Sequence, residues 1–476
     1  MNKKTIMALG VLSAGVLWAS PLIHSDCAND RKAPLVWDRP KEFDPGKPHL
    51  GLPVLTGATH RVLYDPLPSE ADKTGRHESL RHGTYNHHQS FVRYKDRVIV
   101  LWTNHMRDEN GPGMRFLAKT GRLAADESDI DWGKDETLSE IGPSAHPVRR
   151  RRNKDDTSVI DGIFVNSGLE VLEDGRLFVS TSLKVCDGWA DDIQYHVGQG
   201  LREPIPDEHY EAYKTVGPDR KRGFRWDIYW YVGRYLQQVE MDDAGRIKPA
   251  GQMYVVGKPP KTEMRLTPTI TKKLLPLNEP YRSAVPYGKA PEELRSAYST
   301  GRRVASCGRT PRYAPGTFKL AENGKNGLFH NTEFVRPDGM WVAVRDNLLD
   351  TEIYYAAVKG DKDGFYPPGR RTNMFGGVMP VAGELPSGAV WLIGSNLNRT
   401  EAFITLAKDG IHFNKTWSLL SLNLKATLGI CKGSGGAQYF RQITIGPNIW
   451  VVYSIAKEQV GITKIPVALL EQKLKE

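Results

Sequence analysis

From Ser90 to Tyr94 the apolar Phe91, Val92 and Tyr94 are interspersed with the polar Ser90 and Arg93, Lys95-Asp96 interrupts them, and an apolar-rich run resumes from Val98 to Thr103. A period of two with a polar break is the signature of a β-hairpin, in which successive side chains face opposite sides of a sheet. The same unit recurs as "LEVLEDGRLFVSTS" (Leu169 to Ser182), "YLQQVEMDDAGRIKPAGQ" (Tyr235 to Gln252), "EFVRPDGMWVAVRD" (Glu333 to Asp346), "GELPSGAVWLIGS" (Gly383 to Ser395) and "ITIGPNIWVVYSI" (Ile443 to Ile455). Each tip carries Asp-Gly, Ser-Gly, Gly-Pro or a similar pair, residues that tolerate the positive φ of tight turns. Helical periodicity is confined to the last stretch, Ala468 to Lys475.

Late in the chain the hairpins repeat every fifty to sixty residues or so, the spacing of a four-stranded propeller blade with a long loop. An open sheet of so many hairpins would expose its edges, whereas radial repetition protects them. The pattern therefore predicts an all-β chain forming one seven-bladed β-propeller, with six blades as the alternative. Six copies are visible, and a charged, aromatic-rich insertion spans Asp187 to Tyr229. The strand "IWVVYSI" is expected to pack beside an early strand and shut the ring.

Composition narrows the setting. Of 476 residues, 39% are hydrophobic and 25% charged, ordinary for a water-soluble domain. Lys4 followed by the apolar run Ile6 to Ala19 has the form of a secretory signal, with cleavage expected between Ala19 and Asp26. The expected organisation is thus a signal peptide over 1–26 and a single propeller domain over 27–476, secreted or periplasmic. The apolar run is too short for a membrane span, and no other stretch offers one. The net charge of +10 favours an anionic partner. The basic run "VRRRRNK" (Val148 to Lys154) lies in an aromatic-poor stretch with no nucleic-acid module around it and reads as a solvated loop, which leaves anionic lipid or an acidic polysaccharide as the partner of a monomer. Four cysteines, Cys27, Cys186, Cys307 and Cys431, are too few for a disulfide scaffold. Buried or bridged thiols are one reading. The other is a structural metal, zinc or calcium, on Cys307, His330 and Cys431, although no short-range spacing marks such a site.

Two stretches, "VKGDKDGFYPPGRRTN" and "LAKDGIHFNKTW", look like worn Asp-box turns of sialidase-type propellers: both keep Lys-Asp-Gly, and the second keeps Thr416-Trp417. From "FHNTEFVRPDGMWVAVRD" to "VVYSIAKEQVGITKIP" the second half resembles the sialidase-like superfamily. In the first half, "YNHHQSFVRYKDRVIVLWTNHMRDENGPGMRF" resembles the histidine-bearing blade of the seven-bladed ulvan lyases and their relatives, which act on rhamnose–glucuronate linkages. Sialidases proper open with Arg-Ile-Pro and use an arginine triad. "RVLYDPLP" at Arg61 to Pro68 is a poor match, so a literal sialidase is not expected.

The resemblance implies β-elimination at C4 of a uronate, which sets three tasks. The carboxylate must be neutralised, a base must take the C5 proton, and an acid must protonate the departing oxygen. Imidazoles and a tyrosine in a positive field suit the last two, and a bidentate arginine suits the first. The resemblance maps one of His87 and His88, together with His105, onto the family's active-site histidines, and points to Arg234 for the carboxylate. By strict alternation His87 and His88 face opposite ways, so one enters the cleft and the other packs between blades. Tyr229 and Tyr231 are the catalytic tyrosine candidates. Asn104, Trp230, Tyr281 and Arg282 are candidates for substrate binding, Trp230 by stacking on a sugar ring. No cofactor is required for this chemistry. A glycoside hydrolase (rhamnosidase or sialidase-like) and a non-catalytic acidic-glycan-binding propeller are the rival readings.

Overall fold

The computed structural model describes residues 34–66, 85–105, 115–133, 138–141, 147–149, 159–172, 174–186, 229–256, 287–289, 304–305, 321, 328–347, 352–362, 364–422 and 435–476. All belong to one compact unit, Pro34–Glu476. Within it the hairpins assemble into five larger sheets. The first contains Tyr85–Tyr94, Arg97–His105, Arg115–Leu123 and Ile130–Asp131, with Leu138–Ile141 also on the third strand. The second is built on Val159–Val171, Leu177–Cys186, Tyr229–Met241 and Ile247–Val256. The third holds Leu328–Val335, Trp341–Asn347, Ile353–Lys359 and Arg370–Phe375. The fourth holds Val381–Glu384, Val390–Ser395, Glu401–Ala407 and Lys415–Ser421. The fifth runs Ala437–Ile445, Asn448–Ile455, Gln459–Pro466 and then back to Thr59–Tyr64.

That last pairing joins the two ends of the domain, from Thr59 opposite Lys464 to Tyr64 opposite Val460. It also corrects the expected closure. "IWVVYSI" lies between Ala437–Ile445 and Gln459–Pro466, and the early strand is taken one strand further out. Five sheets of four or more strands are seen among the described residues, where seven or six blades were expected. The signal segment and the insertion after Asp187 lie outside the described residues, apart from Tyr229 at the insertion's end.

Burial fixes the order of the sheets. One apolar cluster joins Val92, Ile99 and Phe116 of the first sheet to Leu169, Val179 and Val239 of the second. Another joins Phe91, Val100 and Trp102 to Trp450, Val452 and Ile462 of the fifth. A third joins Trp391 and Ile404 of the fourth sheet to Val451 and Tyr453 of the fifth. A fourth joins Phe334 and Val344 of the third to Leu392 and Phe403 of the fourth, with Trp37 packed in. Each sheet thus buries a face against its neighbour, in the order second, first, fifth, fourth, third. The chain-first strands meet side by side: Tyr85–Tyr94 contacts both Val159–Val171 and Ala437–Ile445, and Val381–Glu384 contacts both Leu328–Val335 and Ala437–Ile445. These are the innermost strands of a radial stack.

The worn Asp-box turn in "LAKDGIHF" does what its sequence implies. The Asp409 carboxylate accepts the backbone N–H groups of Ile411 and His412, both at 2.8 Å, and so closes the turn with its own side chain. Among the described residues no helix is long and apolar enough to cross a membrane.

Candidate active site

Three innermost strands break their alternation at a bulge, and the three bulges converge. His87 pairs with Thr103 and Ser90 with Leu101, so His88 and Gln89 together oppose Trp102. Leu328 pairs with Asn347 and Asn331 with Arg345, so Phe329 and His330 oppose Asp346. Gln438 pairs with Ser454 and Arg441 with Val452, so Tyr439 and Phe440 oppose Tyr453. An extra residue in a strand re-aims the side chains around it. Two of the displaced residues take left-handed backbone, His88 at φ 56° and Tyr439 at φ 61°, a conformation that costs a non-glycine residue energy and collects at functional sites.

The rings gather around Tyr439. Its centroid lies 4.0 Å from that of His87, 5.0 Å from His88 and 5.2 Å from His330, all edge-on. The guanidinium carbon of Arg399 sits 5.9 Å from the same ring, and Arg399 Nη1 donates to Gln438 Oε1 at 2.5 Å. This corrects the expectation that His87 and His88 point apart. The bulge brings their rings to 4.4 Å. His87 does pack between sheets, with Nδ1 2.7 Å from Ser454 Oγ, yet it also touches the other rings of the cluster. Its Nε2 is buried with no hydrogen-bond partner. Burial first, and then the electrostatic influence of His88, Lys457, Arg399 and His330, hold its pKa well below 6.5, so His87 is a neutral imidazole at physiological pH. His88, Tyr439 and His330 are half-buried.

A buried amide network supports the cluster. The Asn86 side chain donates to the Glu458 carbonyl at 2.7 Å and accepts from Trp102 Nε1 at 2.8 Å and Asn104 Nδ2 at 2.9 Å. Asn104 Oδ1 accepts from Nε of the fully buried Arg115 at 2.9 Å. Asn104, expected on the substrate side, is itself fully buried, and its amide is committed to this network. The Asn86 backbone N–H also donates to the Lys457 carbonyl at 2.7 Å. It thereby clamps a hairpin turn in which Ala456 (φ 52°) and Lys457 (φ 60°) are both left-handed without being glycine. The turn carries Lys457, a buried cation, into the field of His87.

Across the cluster, His330 Nδ1 lies 2.8 Å from Asp346 Oδ2. Asp346 is completely buried, and the same oxygen accepts the Met379 N–H at 2.9 Å. His330 was also weighed as a metal ligand with Cys307 and Cys431. Those cysteines lie outside the described residues, and among the described residues no group of three or more His, Cys, Asp or Glu could hold a metal ion.

The remaining sequence candidates are placed by backbone alone. His105 ends its strand opposite Tyr85. Tyr229, Trp230, Tyr231 and Arg234 lie in Tyr229–Met241, opposite Cys186, Val185, Lys184 and Ser182. Their side chains, and all of Tyr281 and Arg282, are outside the described residues. Tyr439, Arg399, Lys457 and Asp346 were missed. The available signal was the broken alternation shared by "NHHQSF", "FHNTEF" and "AQYFRQ".

No protein-family model and no curated protein matches the chain. Among solved structures, a sialidase matches 91% of this chain at 16% identity with a TM-score of 0.55. The chain spans only 35% of that sialidase's length. A Trypanosoma rangeli sialidase in complex with the inhibitor DANA matches 88% of this chain and 61% of its own at 9% identity, TM-score 0.42. A Penicillium chrysogenum alpha-L-arabinanase complexed with arabinobiose matches 86% of this chain and 98% of its own at 9% identity, TM-score 0.38. At 16% identity the likeness to the first of these is one of fold, and it agrees with the stack of antiparallel sheets: the chain shares the β-propeller fold of the part of that sialidase that it spans.

Proposed function

We propose that the chain is an exported lyase that cleaves uronate-containing acidic polysaccharide by β-elimination at the His87–His88–His330–Tyr439 cluster. The observation that carries this reading is the composition of the cluster: a phenol ringed by three imidazoles, beneath the guanidinium of Arg399 and near the ammonium of Lys457. Hydrolysis at a glycosidic bond ordinarily uses two carboxyl groups flanking the bond. Elimination next to a carboxylate instead needs cations to neutralise it and groups that exchange protons near neutral pH.

Arg399 takes the neutralising role expected of Arg234, with Lys457 adding positive potential from the neighbouring turn. Neutralisation lets the C5–H bond break. Its electron pair forms the C4=C5 double bond, and the C4–O4 bond breaks as O4 leaves. An imidazole of the cluster takes the C5 proton, and the Tyr439 hydroxyl protonates the departing oxygen. Sulfated rhamnose–glucuronate polymers of the ulvan type are the substrate class suggested by the histidine-bearing strands.

The test is to incubate the protein with ulvan, gum arabic, pectin, alginate and glycosaminoglycans and follow the ultraviolet absorbance of the conjugated double bond. New reducing ends without that absorbance would support the second reading, a glycoside hydrolase. That reading is favoured by the central place of Tyr439, because sialidases use a tyrosine nucleophile. Binding of a polymer without any cleavage would leave a glycan-binding propeller.

A further inference from the structure

Three imidazoles surround Tyr439, and one of them is paired with a buried carboxylate. His87 is sealed from solvent and bonded to Ser454. His88 Nδ1 lies 3.4 Å from the Tyr85 hydroxyl. His330 Nδ1 is bonded to the buried carboxylate of Asp346. We infer that His330 is the base that takes the C5 proton, and that Asp346 is the positioning residue that holds it for that task. The inference rests on the elimination reading above and deepens it.

The geometry follows from the bulge in Leu328–Val335, which sets His330 across from Asp346 on the neighbouring strand. Asp346 Oδ2 accepts the Met379 backbone N–H, so this carboxylate is held as an acceptor from a second side. An ionised carboxylate can only accept, so the imidazole nitrogen facing it must carry the hydrogen. His330 is therefore fixed with its proton on Nδ1 and its lone pair on Nε2, across the ring from Asp346. In the same way a carboxylate sets the working tautomer of the histidine in a hydrolytic triad. The ring is also reachable: its side chain is 25% exposed, whereas that of Asp346 is fully buried.

The proton balance closes within the cluster. His330 Nε2 takes the proton released from C5, and Asp346 stabilises the resulting imidazolium. Tyr439 gives its hydroxyl proton to O4 as the C4–O4 bond breaks, which leaves a phenolate. The two rings are in contact, so the imidazolium returns its proton to the phenolate and both groups regain their starting states. No oxidant, reductant or further reactant is consumed.

The experiment compares wild type, His330→Gln and Asp346→Asn on whichever polymer of the panel yields the unsaturated product. His330→Gln should lower kcat on the order of 10²–10⁴-fold, with KM and the thermal midpoint nearly unchanged. Asp346→Asn should also lower kcat at constant KM. In addition, nitrogen-15 histidine NMR, which needs no substrate, should show His330 leaving the Nδ1–H tautomer. If His330→Gln keeps kcat within about threefold of wild type, His330 is not the base, although the lyase reading stands. Stoichiometric zinc in wild type that is lost with His330→Gln would make His330 a metal ligand and overturn the inference. Should wild type form no unsaturated product from any polymer, the lyase reading fails, and the role of His330 with it. If Asp346→Asn unfolds, the wild-type tautomer and His330→Gln decide the matter together, and an Nε2–H tautomer in wild type is fatal.

Discussion

The imidazole of His87 and the phenol ring of Tyr439 stand 4.0 Å apart, edge to face, although 352 positions separate them in the chain. Each sits at or beside the bulge of its innermost strand, and the two strands belong to neighbouring sheets. The site is thus made where sheets meet, and no single hairpin contains it.

Tyr439→Phe removes one hydroxyl from a half-buried ring and leaves the ring contacts in place. Turnover on a uronate polymer should fall on the order of 10²–10⁴-fold while the thermal midpoint stays where it was. A variant that retains full absorbance-linked activity would remove Tyr439 from the chemistry.

His87 makes stability depend on pH. Its folded-state pKa lies well below 6.5, chiefly through burial, so the unfolded chain binds a proton that the folded chain refuses. The contribution of the neutral ring is complete above about pH 6.5. It is lost as pH falls below that value, at up to about 1.4 kcal/mol per pH unit, until the folded-state pKa is reached. Chemical denaturation of wild type and His87→Gln across this range should show a shallower slope in the variant. His60, whose pKa burial also lowers, contributes equally to both proteins and cancels in the comparison.

Asn86→Ala strips the buried network of its hub. The Trp102 N–H, one Asn104 N–H and the Glu458 carbonyl lose their partner together. The expected loss of stability is on the order of 3 kcal/mol, measurable by urea titration. The variant keeps the backbone bond to Lys457 but loses the side-chain bond to the Glu458 carbonyl in the same turn, so KM should rise modestly as the turn loosens. A variant of wild-type stability would show that the turn holds itself.

Gly436 is left-handed at φ 82°, and a Cβ there would lie 1.8 Å from the Arg399 carbonyl oxygen. Gly436→Ala must push the Arg399 loop away as well as strain the backbone. Both the thermal midpoint and substrate affinity should drop. If affinity is kept while stability falls, Arg399 is not the carboxylate-binding group.

Much of the fold was legible because hairpins announce themselves locally. The alternation in Glu333 to Asp346 and in Ile443 to Ile455, with Asp-Gly or Gly-Pro at the tip, is what the strands realise. His87 and His88 stood out as a pair, yet alternation alone assigned their faces wrongly, because a bulge shifts the register by one residue. Tyr439, Arg399 and Lys457 were hidden for a different reason. Their partners come from other sheets, and a contact such as His87 with Ser454 leaves no periodic trace in the chain. Asp346 looked like the polar end of a strand, and only its complete burial marks it as a partner for His330.

The pairing of Thr59–Tyr64 with Gln459–Pro466 also sets how the protein must fold. The strand Thr59–Tyr64 has to wait for a partner made roughly 400 residues later, and closing so long a loop costs about 5 kcal/mol of chain entropy. Until that docking the strand Gln459–Pro466 keeps an open hydrogen-bonding edge, which invites pairing with other chains. Folding should therefore be slow, end in a late closing step, and favour conditions in which chains meet rarely.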